Sequence, residues 1–158
     1  MTDAEDLFAR HYRDVFRFLS HMTGRLDVAE DLVQDVFVRV VRALQNGGPI
    51  GHERGWIFCI ARNLLADRHR DGRRRPETVA PQESSAKESQ SLAYDLRQSL
   101  EQLPEEDREI FLLKEVGGLT YQEISEICRC TIEAVRARLY RTRIALRAMM
   151  TPAAGSRR

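Results

Sequence analysis

Large apolar residues recur every three or four positions along nearly the whole chain, which is the spacing of one face of an α-helix. Sustained alternation of apolar and polar residues, the mark of a half-buried strand, is absent from the sequence. The pattern predicts helices over about 7–22, 27–44 and 54–70 and, after a polar stretch, over about 92–102 and 104–116. The predicted fold class is therefore all-α.

Helix-breaking and capping residues set the boundaries of these helices. Gly24 follows the first helix, and Asp27 with Glu30 three residues later has the spacing of a capping box at the start of the second. Residues 45–51 include three glycines and a proline, which predicts a loop. Pro104, followed by three acidic residues, suits the first turn of a helix.

The polar stretch divides the chain. Residues 74–91 contain prolines and few large apolar groups, so their burial does not offset the entropy lost on ordering. The sequence thus predicts two small helical domains, 1–73 and 92–150, joined by a flexible linker over 74–91. Residues 151–158 are predicted to form a disordered tail.

A helix-turn-helix is predicted over residues 119–147. Thr120 and Glu123 have the capping-box spacing, residues 129–131 form a turn of about three residues, and Thr131 is placed to cap the second helix. The inward face of that second helix carries apolar residues at helical spacing, namely Ile132, Val135, Leu139 and Leu146.

The remaining sides of this second helix carry arginines, namely Arg136, Arg138, Arg141, Arg143 and Arg147. Arginine forms paired hydrogen bonds to guanine edges and binds phosphates, so the pattern favours insertion into the DNA major groove. The alternative is a solvated basic helix that only packs against its neighbour.

The net charge of the 158-residue chain is +1, but the charges are segregated. Residues 62–75 have six arginines and two aspartates, a net of +4, and residues 129–147 have six arginines and one glutamate, a net of +5. Residues 101–126 have eight acids and two bases, a net of −6. Two separate basic segments are typical of a DNA-binding protein that contacts two sites.

Other features of the composition narrow the class of protein. No apolar run approaches the roughly 20 residues of a membrane-spanning helix. The acidic N-terminus has no apolar signal core, and three cysteines fit a reducing cytosol. We therefore expect a cytoplasmic protein without direct membrane insertion. Cys128 and Cys130 lack a nearby histidine, so no metal or other cofactor is expected.

Four segments together resemble the group IV, or extracytoplasmic-function, sigma factors of bacteria, which keep only domains two and four. They are 7–16, 29–37, 56–67 and 103–113, and the resemblance extends over about residues 5–149. It implies an alternative sigma factor that directs RNA polymerase to promoters through −35 and −10 elements. Its partners would be core polymerase, promoter DNA and an anti-sigma factor that holds it inactive.

In this family the second helix binds a coiled coil of the polymerase β′ subunit. The resemblance assigns this contact to Asp31, Leu32, Gln34 and Asp35. An acidic helix start also compensates the helix dipole, and Leu32 is equally suited to the core, so both alternatives stay open.

The third helix of the family binds and melts the −10 element. The residues matched to this role are Arg54, Trp56, Arg62, Asn63, Arg68 and Arg70. Cationic side chains would hold the backbone while bases stack and form hydrogen bonds at their edges. Trp56 is also suited to the core, and Asn63 to solvent.

The recognition helix of the family binds the −35 element, and a hydrophobic surface beside it binds the polymerase β-flap. Because its N-terminal part usually contacts bases, readout falls to Thr131, Glu133, Ala134 and Arg136. Arg138, Arg141 and Arg143 are candidates for base or phosphate contacts. Many relatives have glycine, proline and glycine where Arg129, Thr131 and Glu133 stand, which leaves the −35 sequence open.

The resemblance implies a regulator rather than an enzyme. A self-sufficient helix-turn-helix repressor would need a dimer surface, and no long heptad run supplies one. A hydrolase or transferase would need a nucleotide-binding loop, a nucleophile elbow or paired metal ligands, and none of these motifs occurs in the sequence.

Overall fold

The computed structural model describes residues 3–48, 52–70 and 95–150, and its regular elements there are all helices. Their bounds are Ala4–Thr23 (α1), Leu26–Gln45 (α2), Glu53–Arg70 (α3), 95–101 (α4), Glu105–Glu115 (α5), Tyr121–Cys128 (α6) and Ile132–Met150 (α7). The all-α prediction is confirmed. The predicted linker over 74–91 and the predicted tail over 151–158 both lie outside the described residues.

Helices α1, α2 and α3 pack around one apolar core. Phe18 of α1 and Phe58 of α3 are fully buried and meet edge to face, with ring centroids 5.6 Å apart. Val33 and Val36 of α2 are fully buried in the same core. Because all three helices contribute fully buried side chains, the exposed sides of α2 and α3 are held in a fixed orientation.

The turn between α1 and α2 differs in part from the prediction. Gly24 ends α1 in the left-handed conformation at φ 73°, as predicted, and its N–H donates to the carbonyl of Ser20. The predicted cap at Asp27 is wrong, because Arg25 is already extended and α2 begins at Leu26. Asp27 therefore lies in the first helical turn, where it forms an ion pair with Arg25 at 2.9 Å.

Helices α5, α6 and α7 form the helix-turn-helix domain. The capping box is confirmed: Glu123 N–H donates to Thr120 Oγ1 at 3.0 Å, and Thr120 N–H donates to Glu123 Oε1 at 2.9 Å. Arg129 turns the chain in the left-handed conformation at φ 61°, and Thr131 Oγ1 accepts from Ala134 N–H at 3.0 Å. These local bonds fix the direction in which α7 leaves the turn.

The two domains pack on each other in this structure. Helix α1 lies against α5, and α3 lies against α6. The sequence pattern leaves this arrangement open, and the structure places the third helix of one domain beside the helix-turn-helix of the other. Within the described ranges, no helix has the length and apolar character needed to cross a membrane.

Acidification should destabilise the fold through His21. Burial, with further contributions from the positive charges of Arg17 and Arg97, lowers the pKa of His21 to about 4. Because the folded pKa lies below that of the unfolded chain, His21 contributes stability above about pH 6.5, and that contribution is lost as the pH falls towards 4. Urea unfolding at pH 7 and pH 4.5 should therefore show a loss of stability that is smaller in His21→Gln, by on the order of 2 kcal/mol. Equal losses in the two proteins would contradict this role.

Candidate nucleic-acid and polymerase interface

Two of the predicted DNA-binding arginines of α7 flank one tyrosine of α6. The guanidinium of Arg136 lies over the Tyr121 ring, 5.4 Å from its centroid, and remains exposed. Arg143, two turns further along, donates to Glu115 Oε2 at 3.0 Å. The two arginines thus lie on one side of α7 with their side chains ordered by neighbours, as their seven-residue spacing predicts.

Arg138 has a different environment from Arg141. The Arg138 guanidinium lies 3.0 Å from Glu106 and 3.1 Å from Asp107, and it ties α7 to the first turn of α5. Asp107 is largely buried in this contact, with its side chain 14% exposed. Arg141 is exposed and has no ion pair among the described residues. Of the two, Arg141 is the one whose charge faces solvent.

The start of α7 presents the remaining residues predicted to read the −35 element. Thr131 and Glu133 are exposed, and Ala134 is half-buried. The Thr131 hydroxyl oxygen already accepts the N–H of Ala134, which leaves its O–H free to donate outward. The end of the helix that enters the groove in this class of motif is therefore open to solvent.

Helix α2 presents a polar stripe on its outer side. Asp31, Gln34 and Asp35 are all exposed and lie within one turn of each other. Leu32 is 6% exposed and packs in the core, which is the alternative that the sequence left open. The surface available to a partner on this helix therefore consists of Asp31, Gln34 and Asp35.

Arg54, at the start of α3, joins both domains. It donates to the Asp14 carboxylate and to the carbonyl of Gly117, and its Nη1 lies 3.0 Å from His11 Nδ1. Burial, with the nearby charge of Arg54, lowers the pKa of His11, so the ring is neutral at pH 7 and can accept a hydrogen bond from Arg54.

Arg62, two turns further along α3, also contacts the second domain. Its Nε donates to Glu109 Oε2 of α5 at 2.8 Å, and its Nη1 donates to the carbonyl of Ile127 at 3.3 Å. Glu109 is buried, at 9% exposure. Burial raises the pKa of the Glu109 carboxyl, and the hydrogen bond from Arg62 only partly offsets that rise.

The other residues predicted to bind the −10 element form fewer hydrogen bonds and ion pairs than Arg54 and Arg62 do. Trp56 is half-buried against the core, and Asn63 is exposed beside Cys59, with Nδ2 3.8 Å from Sγ. Arg68 and Arg70 lie exposed in the last turn of α3, where Arg70 pairs with Asp67 on the same helix. The structure thus brings all six residues onto one helix but leaves only some of them open to DNA.

The partners of Arg54 and Arg62 do not follow from the sequence pattern. His11 lies within the predicted first helix and Glu109 within the acidic segment, and neither pattern indicates that both side chains are buried. For Arg62 and Glu109, the available signal was the opposite charge of two segments, −6 over residues 101–126 and +4 over residues 62–75. That signal predicts attraction between the segments but not which side chains meet.

The environment of Cys128 suits a structural role more than a reactive one. Burial raises the pKa of Cys128 to about 12, so its thiol is protonated at neutral pH. Among the residues that the structure describes, no group of three or more histidine, cysteine, aspartate or glutamate side chains has the arrangement of a metal site.

Comparison with known proteins supplies the family. The family model for sigma-70 region 2 matches residues 7–75, and the model for sigma-70 region 4 matches residues 94–146. The ECF RNA polymerase sigma-E factor of Escherichia coli K12 is 32% identical over 89% of this chain and 82% of its own length. The sigma factor CarQ of Myxococcus xanthus is 33% identical, with 87% of this chain and 83% of CarQ covered.

The chain belongs to the extracytoplasmic-function sigma factors. It is also 33% identical to the ECF sigma factor SigE of Mycolicibacterium smegmatis, and there the match covers 93% of this chain but only 61% of SigE. Helices α1 to α3 lie in the region 2 match except for the first three residues of α1, and α5 to α7 lie in the region 4 match except for the last four residues of α7.

Solved sigma factors share the fold. The sigma factor RpoE of Bartonella quintana, in complex with the anti-sigma factor NepR, superposes with a TM-score of 0.78 at 24% identity, covering 92% of this chain and 95% of RpoE. CnrH, in complex with the cytosolic domain of CnrY, gives a TM-score of 0.72 at 26% identity, covering 93% of this chain and 86% of CnrH.

Replacement of Arg138 and replacement of Arg141 should differ in their effect on the stability of the protein. Arg138→Ala removes the contact between α7 and α5 and should lower the free energy of unfolding by about 0.5–1 kcal/mol, as expected for a partly exposed ion pair. Arg141→Ala should leave it unchanged, because its side chain faces solvent. Urea unfolding followed by circular dichroism makes the comparison, and an equal loss in both variants would contradict it.

Proposed function

We propose that this protein binds core RNA polymerase and directs it to promoters whose −35 and −10 elements it reads through α7 and α3. It acts in the bacterial cytoplasm and performs no chemistry of its own, since the polymerase forms the phosphodiester bonds. The observation that carries the proposal is the pairing of both sigma-70 regions in one chain, over residues 7–75 and 94–146.

The −35 contact rests on the exposed start of α7. Thr131, Glu133 and Arg136 face solvent there, and the guanidinium of Arg136 lies over the Tyr121 ring. Arg141 supplies an exposed charge for a phosphate further along the helix. Arg138 contributes by holding α7 on α5.

The −10 contact rests on α3, where Asn63 and Arg68 are exposed and Arg62 is partly buried against region 4. Unpaired bases need a polar edge partner and cations along the backbone, and these side chains supply both. In this structure Arg54 and Arg62 form hydrogen bonds to region 4, so binding of the −10 strand to them requires that region to move away.

The polymerase contact rests on the stripe formed by Asp31, Gln34 and Asp35. A basic surface on a partner would complement these exposed acids, whose side chains face solvent.

The solved relatives RpoE and CnrH are described in complex with NepR and with CnrY. We extend this by analogy to an anti-sigma factor that binds the present protein and restrains it.

Run-off transcription tests the proposed function directly. Purified core polymerase is incubated with genomic promoter fragments, with and without this protein. Discrete transcripts that require the protein are expected, and their upstream sequences would share two elements. Specific DNA binding by the protein alone, without new transcripts, would instead indicate a conventional helix-turn-helix regulator.

Reversal of charge on α2 should separate polymerase binding from folding. Asp35→Arg places a cation in the acidic stripe and should weaken binding to core polymerase at least tenfold, measured by fluorescence anisotropy with labelled protein. Glu30→Arg makes the same charge change at the edge of the stripe, four residues before Gln34, and should have a smaller effect. Circular dichroism should show both variants folded. Normal binding of Asp35→Arg to core would exclude the stripe as the docking site.

A further inference from the structure

Tyr121, the first residue of α6, contacts side chains from both other helices of the helix-turn-helix domain. Its half-buried ring packs against the core, and the guanidinium of Arg136 on α7 lies over it, 5.4 Å from the centroid. The ammonium of Lys114 on α5 lies 4.9 Å from the same centroid. Both distances are within the roughly 6 Å of a cation–π contact, so this one ring joins cations of α5 and α7.

The residues that surround this ring have fixed positions. Tyr121 directly follows Thr120, the cap of α6, and Thr120 and Glu123 exchange two hydrogen bonds at 2.9 and 3.0 Å. Lys114 is held as well, because its Nζ donates to the carbonyl of Leu119 at 3.2 Å. The ring therefore has a defined place beside α7 before any DNA is bound.

Arg136 depends on the ring more than the other arginine beside it does. In the part of the chain that the structure describes, Arg136 is exposed and forms no ion pair, so the Tyr121 ring is the group that restrains its guanidinium. Arg143, on the same side of α7, donates to Glu115 Oε2 at 3.0 Å. Loss of the ring would therefore free Arg136 and leave Arg143 paired with Glu115.

We propose that Tyr121 is a positioning residue for recognition of the −35 element. Its ring restrains the guanidinium of Arg136, which the exposed start of α7 would present to the edge of a guanine. An arginine side chain that is already ordered loses less rotamer entropy when it binds. This inference rests on the proposed function of α7 as the −35 helix.

The ring should affect discrimination between DNA sequences more than overall affinity. Phosphates supply much of the affinity of a DNA-binding protein, and they carry no sequence information. A guanine edge, in contrast, accepts an arginine in one forked geometry. A mobile Arg136 would still bind phosphates but would distinguish the correct base less well. The quantity to measure is therefore the ratio of the affinities for two DNAs.

The test uses holoenzyme assembled from core polymerase and the full chain. Fluorescence anisotropy, at one fixed salt concentration, gives its affinity for a promoter fragment from the run-off experiment and for the same fragment with its −35 element replaced. Tyr121→Leu should lower the ratio of the two affinities about three- to fivefold, as expected for loss of an exposed cation–π contact. Tyr121→Phe keeps the ring and should match the wild-type ratio.

A double-mutant cycle shows whether the ring acts through Arg136. Arg136→Ala alone should lower the ratio at least about fivefold, because it removes a paired contact to a base. Adding Tyr121→Leu to Arg136→Ala should lower the ratio no further, whereas a merely structural role of Tyr121 would give effects that add. Partial unfolding of a variant reduces the amount of active holoenzyme and leaves the ratio unchanged, so it does not mimic the expected effect.

Three results would overturn the proposal. They are an unchanged ratio in Tyr121→Leu, additive effects of Tyr121→Leu and Arg136→Ala, and a loss in Tyr121→Phe as large as that in Tyr121→Leu. The last result would assign the effect to the hydroxyl instead of the ring. Failure of the proposed function would appear separately, as absence of new transcripts in the run-off experiment with wild-type protein.

Discussion

The ion pair between Arg62 and Glu109 is the most buried of the ion pairs that join the two regions in the part of the chain that the structure describes. It joins side chains 47 residues apart, of which Glu109 is buried and Arg62 is partly buried. A carboxylate as buried as Glu109 is stable in its charged form only with a cation beside it. The position of α5 therefore depends on α3, and through α5 and α6 the orientation of the recognition helix α7 depends on it too.

Features set by neighbouring residues were predictable from the sequence. The capping box of Thr120 and Glu123 and the left-handed Arg129 follow from rules that act within four residues, and the structure has both. The cap predicted at Asp27 failed although its spacing was right. Gly24 ends α1 early enough for Arg25 to become the capping position, so the preceding turn decided where α2 begins.

Features set by tertiary contact were not predictable in the same way. Periodicity places Leu32 on α2 but does not tell a core side chain from a docking side chain at the edge of an apolar face, and the structure has it in the core. Composition likewise shows an arginine-rich α7 without showing that Arg138 meets Asp107 on α5. The side of a helix on which a residue lies follows from the sequence. The residue that it contacts there depends on how the helices and domains pack.

The ion pairs between the two regions are unequal in strength. The side chains of Arg62 and Glu109 are 28% and 12% exposed, whereas those of His69 and Glu105 are 60% and 54% exposed, and His52 Nδ1 lies 3.8 Å from Glu123 Oε2. Exposed ion pairs contribute little, while removal of one partner from a buried pair leaves the other charge poorly solvated. The packing of α3 on α5 therefore depends more on Arg62 and Glu109 than on the two histidine pairs at the ends of the helix.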